Sequence, residues 1–284
     1  MNPAPHLLKS LFAMASMVEA RDPYTGGHLW RVSQFSRLLA EAGGLPTTDV
    51  ARIMLGGFLH DLGKIAVSDA ILNKPDRLNE MEYRSIQTHP DVGQRLLAEH
   101  PLAELARAAI SAHHERPDGK GYPRGLAGDD IPLDARIVGI ADAFDAMTSG
   151  RPYSKGMPID RALGIVAENL GRQFDAVWGE RFIALGNQGV LDHIVGHSEP
   201  GIPLQTCPAC GPIVVLHRRQ ADGSLVYCRH CGGEVKVTRT GDSVSLTLTG
   251  RVGDPAALEP DINHELLDEL VSAASAALEL VARE

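Results

Sequence analysis

Residues 58–64 read FLHDLGK, a histidine and an aspartate side by side where an apolar run ends. Outward from this pair, apolar residues recur every three or four positions. Val32, Phe35, Leu38 and Leu39 do so upstream, and Leu102, Leu105, Ala106, Ala109 and Ile110 downstream, the period of helices with one buried face. The stretch 7–18 is apolar but broken by Lys9, Ser10 and Ser16, and it reads as another helix. Asn79 followed by Glu82 has the form of a capping box, and Pro101 falls where a first helical residue would stand. Stretches 160–170 and 175–185 read as two further amphipathic helices. Strand signals are nearly absent up to residue 186, so an all-α helical bundle is expected over 1–195.

The character then changes. His, Ser, Glu, Pro and Gly cluster over 196–203, read as part of a linker over 196–206. Short β-rich runs follow at 213–216, 224–227, 234–238 and 243–248, with Thr240, Gly241 and Asp242 as a hairpin turn. They make a small β-rich unit over 207–250, and a terminal helix is expected within 251–284, its apolar stripe placed to cover that unit or a second subunit.

With 284 residues and 44% apolar content, the chain can bury one sizeable core and carry a smaller module. A net charge of −9 argues against broad nucleic-acid binding, which needs Lys and Arg against phosphates. No apolar run approaches the ~20 residues of a membrane span, and the first ten residues lack the features of a signal peptide. A cytoplasmic protein is expected, with no membrane partner. Only twenty residues precede Arg21, so no sensory module is expected ahead of the helical part.

Further histidines and aspartates sit in similar settings. His89 lies in QTHP, His113 and His114 end the apolar run AISAHHE, Asp142 lies in GIADAFDAMT, and His28 opens YTGGHLWRV after its glycines. Such polar groups among apolar neighbours are costly unless something satisfies them, and converging His and Asp suit divalent transition metals better than calcium. Neighbouring helical residues point ~100° apart, so His60 and Asp61 address one metal from two directions or straddle two.

Three stretches, 21–32, 59–93 and 113–155 (HHERPDGKGYPRGLAGDDIPLDARIVGIADAFDAMTSGRPYSK), closely resemble the HD-GYP family, a branch of the HD-domain metal phosphohydrolases, in the family's order. The resemblance spans about residues 8–186. It implies a two-metal centre: His28, His60, Asp61 and Asp142 on one metal, with Asp61 bridging to a second held by His89, His113 and His114. It also implies catalytic roles for Asp61 and Lys64, with Lys64 reaching a substrate phosphate. Gly121, Tyr122 and Pro123 would form the signature loop beside the substrate, after Asp118 and Gly119. Arg151 would hold the other phosphate, with Lys155 beside it. Iron or manganese is the expected metal pair, with nickel or zinc as alternatives.

Two departures from the family pattern stand out. Tyr24 occupies the place of a glutamate found in three-metal members, so two metals are expected rather than three. Ser154 replaces the usual basic residue after the RPY arginine, leaving Lys155 as its substitute. Arg21, Asp22 and Thr25 are read as capping or bracing the helix of His28, Asp145 as a structural neighbour of the ligands, and His193 and His197 as solvated.

Cys207, Cys210, Cys228 and Cys231 form CxxC-x17-CxxC, with a glycine after each pair. That pattern reads as a zinc-ribbon-like module with one structural zinc. The resemblance implies hydrolysis of cyclic di-GMP, or a related cyclic dinucleotide, to pGpG or to GMP. The alternatives are a non-hydrolytic cyclic-dinucleotide-binding or protein-interaction module, and an HD hydrolase for another nucleotide. Partner docking or homodimerisation is the expectation for the C-terminal module.

Overall fold

The computed structural model describes residues 4–22, 25–74, 76–149, 156–241, 243–259 and 261–278. Eleven helices are found among them, and one, α3 (Thr47–Leu59), runs through the middle with every residue from Ile53 to Leu59 buried. Around it pack α1 (Ala4–Glu19), α2 (His28–Ala42), α7 (Arg107–Ala112) and α8 (Leu133–Thr148). Phe12 meets Phe58 edge-on, and Phe35, Phe144 and Phe182 form a second aromatic cluster, so a few large rings replace many small contacts. A short 3-10 turn, Leu62–Ala66, follows α3 and lies against α6 (His89–Leu96). Between them come α4 (Asp69–Leu72) and α5 (Glu80–Ile86).

The start signals are realised in hydrogen bonds. Asn79 Oδ1 accepts from Glu82 N while Asn79 N donates to the Glu82 carboxylate, the full capping box at α5. Asp175 caps α10 (Ala176–Asn187), which pairs with α9 (Ile159–Glu168).

Other expectations are corrected. The apolar run around 102–110 is not one helix from Pro101. Pro101 lies in a turn, a 3-10 turn covers Ala103–Leu105, and α7 begins only after Ala106, whose φ of −122° breaks the helical path. The stretch expected as a linker holds strands instead: β1 (His197–Glu199) pairs with β2 (Ile202–Pro203), and β3 (Gln205–Thr206) with β4 (Ile213–Val214). Ser198 and Glu199 are buried there, which a solvated linker would not allow. His197 is half-buried in β1, while His193 is exposed as expected.

The remaining strands form an antiparallel sheet ordered β5 (Leu225–Tyr227), β6 (Gly233–Thr240) and β7 (Ser243–Val252). Gly241 sits in their turn, and Asp242 lies outside the described residues. Helix α11 (His264–Ala277) is capped by Asn263 and turns its stripe of Leu266, Leu267, Leu270 and Ala274 into the helical core. It packs on α1 and α3, with Lys9 bridging to Asp268, while its Glu269 pairs with Arg218 of the small module.

Candidate metal centre

Five segments deliver seven histidine and aspartate side chains to one place. His28 is the first residue of α2, His60 and Asp61 follow α3, His89 opens α6, His113 and His114 follow α7, and Asp142 lies within α8. Gly63 allows the approach: a Cβ there would stand 1.9 Å from the His89 carbonyl oxygen, so only glycine lets α6 close on the turn after Asp61.

The rings are oriented from behind. Nδ1 of His60 lies 2.7 Å from Gly57 O, that of His89 2.8 Å from Ile86 O, and that of His113 2.9 Å from Ala109 O. A carbonyl only accepts, so each Nδ1 carries the proton and each Nε2 presents a lone pair inward. His28 Nδ1 lies 2.7 Å from Asp145 Oδ2, the carboxylate–histidine arrangement that sharpens a ring as a metal ligand.

Asp61 sits at the centre. Its Oδ1 faces His89 Nε2 at 3.5 Å, while its Oδ2 faces His60 Nε2 at 3.4 Å and His28 Nε2 at 3.6 Å. Asp142 Oδ1 closes the second side, 3.5 Å from His28 and 3.7 Å from His60. The donors therefore fall into one cluster of His28, His60 and Asp142, another of His89, His113 and His114, and Asp61 between them.

This donor set fits cations. His60 Nε2 is buried without a hydrogen-bond partner among the described residues, a costly state for a lone pair unless a positive centre faces it. Burial pushes His89 down, pushes His113 well below its usual value, and brings His114 to about 3, so these rings stay neutral. Burial would raise the Asp61 carboxyl, but Lys64 and the His60 ring hold it well below the carboxylate range. For His28, burial works downward, and the hydrogen bonds with Asp145 and Asp61 outweigh it, raising the imidazole to about 10.

A cavity of about 930 Å³ opens onto the cluster. Lys64, Tyr83, Lys120, Gly121 and Tyr122 line it beside the histidines. Lys64 Nζ donates to Asp61 Oδ2 at 2.6 Å, so the lysine rests on the central aspartate rather than standing free. Tyr122 stacks on His114 with centroids 4.6 Å apart, and burial raises its hydroxyl pKa. Gly121 packs against the backbone of His114 and Glu115, where a Cβ would not fit, and Pro123 follows Tyr122 through a cis peptide. Arg151, Ser154 and Lys155 lie outside the described residues, as does Tyr24.

The family described as HD domain matches residues 13–177, more than half of the chain. The chain belongs to the HD-domain family. Among relatives of this HD domain, a protein named 3'3'-cGAMP-specific phosphodiesterase 3 from Vibrio cholerae serotype O1 is 44% identical over 164 residues, 57% of this chain and 35% of that one. The cyclic di-GMP phosphodiesterase response regulator RpfG of Xanthomonas campestris pv. campestris is 41% identical over 169 residues, 59% of this chain and 45% of that one. The chain thus spans between a third and a half of the length of these two relatives. A crystal structure of cyclic GMP-AMP specific phosphodiesterases in V. cholerae aligns over 64% of this chain and 49% of that chain, with a TM-score of 0.49 at 20% identity, too distant to bear on the chemistry.

Sequence reasoning passed over one residue of the HD domain. Arg31 is fully buried and grips both oxygens of Asp145, at 2.6 Å through Nε and 3.0 Å through Nη2. The signal was present: Arg31 follows His28 by three positions and Asp145 follows Asp142 by three, so each helix offers a second residue on its ligand face. Arg21 was misplaced. Its guanidinium braces not the helix of His28 but the segment after Asp61, through the carbonyls of Lys64, Ile65 and Val67 and the Asp69 carboxylate.

Outside the HD domain the four cysteines converge, all four Sγ atoms within 4.8 Å of one another. Cys207 Sγ lies 3.8 Å from Cys231 Sγ, and Cys210 Sγ 3.6 Å from Cys228 Sγ. Those separations are too long for disulfides and match a tetrahedral metal, where bonds of about 2.3 Å place sulfurs about 3.8 Å apart. Burial opposes ionisation of Cys207, but the Ala209 and Cys210 amides bring its thiol down to about 7.

Proposed function

We propose that this chain is a metal-dependent phosphodiesterase of the HD-GYP type that hydrolyses cyclic di-GMP to pGpG or to GMP. The observation that carries the reading is the placement of Asp61, one oxygen toward His89 and the other toward His28 and His60, between two donor clusters whose His28, His89, His113, His114 and Asp142 line the large cavity. His28, His60, Asp61 and Asp142 hold one metal, and Asp61, His89, His113 and His114 the other. Iron or manganese suits these mixed donors, with nickel or zinc the alternatives. Bound there, the pair supplies Lewis acidity toward a phosphoryl oxygen and toward the attacking water.

The chain's own residues do the rest. Asp61 keeps its charge through Lys64 and His60, which preserves its capacity to bridge. Lys64 swings its ammonium from Asp61 to a non-bridging phosphate oxygen as substrate enters, stabilising charge that grows as the P–O bond breaks. Tyr122, braced on His114, offers a flat face beside the metals on which a purine stacks. Arg151 and Lys155 hold the second phosphate. The cysteine cluster binds one structural zinc, because a site closed by four thiolates has no open position for chemistry.

The relatives carry the names of enzymes for both cyclic di-GMP and 3'3'-cGAMP, so the test includes both. The protein, purified without oxygen and supplied with iron or manganese, is incubated with each dinucleotide and the products separated by chromatography. Appearance of pGpG or GMP, absent with His60→Ala and Asp61→Ala, supports the reading. Two metals bound per chain and no cleavage of either substrate rejects it.

A further inference from the structure

The small β-rich module does not hang free of the metal centre. It rests on the two glycines that lead into His28. A Cβ at Gly26 would stand 2.5 Å from Val215 Cγ2, and one at Gly27, where φ is +75°, would stand 2.5 Å from Ser198 Cα. The backbone before His28 is therefore in direct contact with the strands of the module, at a distance only glycine permits.

Arg31 continues the contact inward. One nitrogen donates to both Gly26 O at 2.9 Å and His197 O at 2.8 Å, tying the start of α2 to β1. The rest of the guanidinium holds Asp145, which in turn takes the Nδ1 proton of His28. The path from β1 to a metal ligand is thus His197, Arg31, Asp145, His28, each link a buried or part-buried hydrogen bond.

A second contact reaches the other side of Asp61. Arg229 stands inside the second CxxC pair and donates to Ala20 O at 3.4 Å, at the end of α1. The next residue, Arg21, is the one that clasps the carbonyls after Lys64.

The module is poorly equipped to hold its shape unaided. Its buried apolar cluster has eight members, and Cys207 and Cys228 are two of them. A core of that size needs a staple, so the form that contacts Gly26, Gly27 and Arg31 depends on the ion joining the four thiolates.

We propose that the cysteine module is a positioning element for the helical metal centre, and that zinc at its four thiolates raises the affinity of the His28, His60 and Asp142 cluster for its own cation. The inference rests on the two-metal reading of that centre. It goes beyond it by making the two metal sites communicate, with Arg31 as the positioning residue between them. Loss of an outer partner of a metal-bound histidine costs about 10–100-fold in affinity, and loss of zinc withdraws support from the Arg31–Asp145 pair that orients His28.

The test uses the full chain and Mn²⁺ as the probe, with affinity read by electron paramagnetic resonance and zinc by elemental analysis, so hydrolysis does not enter. Zinc-free Cys210→Ser/Cys231→Ser protein should bind Mn²⁺ at least about tenfold more weakly at one site. In a His28→Ala background the same cysteine changes should cost less, because the link through Arg31 and Asp145 ends at His28. Arg229→Ala/Val215→Ala keeps all four cysteines and loosens only the contact; it should weaken Mn²⁺ binding in the same direction, which covers the case of a cysteine variant that fails to fold. Unchanged Mn²⁺ affinity in the contact variant, or in zinc-free protein of native helicity, overturns the proposal. Wild-type protein that takes up no Mn²⁺ at the helical cluster overturns the two-metal reading along with it, and wild-type protein without cysteine-bound zinc overturns the proposal alone.

Discussion

His89 Nε2 and His113 Nε2 face each other at 3.1 Å, and both rings have already committed their Nδ1 protons to backbone carbonyls. Two lone pairs at that distance repel unless a positive charge sits with them, and burial keeps both rings from acquiring a proton of their own. A cation that accepts both lone pairs would remove that repulsion. Wild-type protein should gain several degrees in melting temperature with excess Mn²⁺. His113→Leu should melt higher than wild type without metal and respond less to Mn²⁺. Equal Mn²⁺ shifts in the two proteins would count against this account.

Asp61 is the residue both donor clusters share. Asp61→Ala should abolish hydrolysis, by on the order of 10²–10³ or more, and lower the metal content of the helical site. Product chromatography and elemental analysis measure the two effects; full activity would sink the two-metal mechanism.

Lys64 donates to Asp61 Oδ2 and lines the cavity. Lys64→Ala should slow turnover by about 10² while metal occupancy stays at the wild-type level. A loss of metal instead would make the lysine a brace for Asp61 rather than a partner of substrate.

The pH dependence of the metal-free protein should be two-sided. His28 is raised to about 10, so its contribution to stability is complete below pH 6.5 and fades as pH rises through 10. His114 is depressed by burial to about 3, so the unfolded chain takes up a proton there first, and stability falls as pH drops from 6.5 toward 3. Melting temperature against pH, in chelator, should peak near neutrality. Asp145→Asn removes the negative charge facing His28 Nδ1–H and should flatten the alkaline limb; an unaltered limb would show that another group governs it. By the same linkage, a cation must displace a proton from His28, and affinity at that cluster should climb with pH up to about 10.

Cys207→Ser or Cys231→Ser should release about one zinc per chain. Two cations at the helical centre should remain when Mn²⁺ is supplied in excess. Zinc content equal to wild type would defeat the tetrathiolate assignment.

Much of the centre was legible in advance because its residues announce themselves locally. His60, Asp61, His113 and His114 interrupt apolar periodicity at helix ends, and the four cysteines carry their own spacing. The fold class followed from the same periodicity. What could not be read depends on contacts far apart in the chain. Arg31 looks like any helical arginine until Asp145 and His197 close around it. Arg21 cannot be told from a cap until the segment after Lys64 folds back beneath it. The apolar stripe of α11 says that something is covered, and only the tertiary arrangement says that it is α1. The broken helix near Ala106 had an apolar pattern good enough for one continuous helix, and the local backbone overrode it.

The seating of α11 on α1 bears on how the protein is made. The helical body is assembled from the first helix and the last, with the cysteine strands encoded between them. During synthesis the face of α1 that receives Leu266, Leu267 and Leu270 stays wet until α11 has left the ribosome. A shortened gene product ending at residue 195 would then expose that face for good, a sticky intermediate rather than a self-sufficient enzyme. Biogenesis is on this view a cooperative event, in which the helical body around α1 is not finished before α11 arrives.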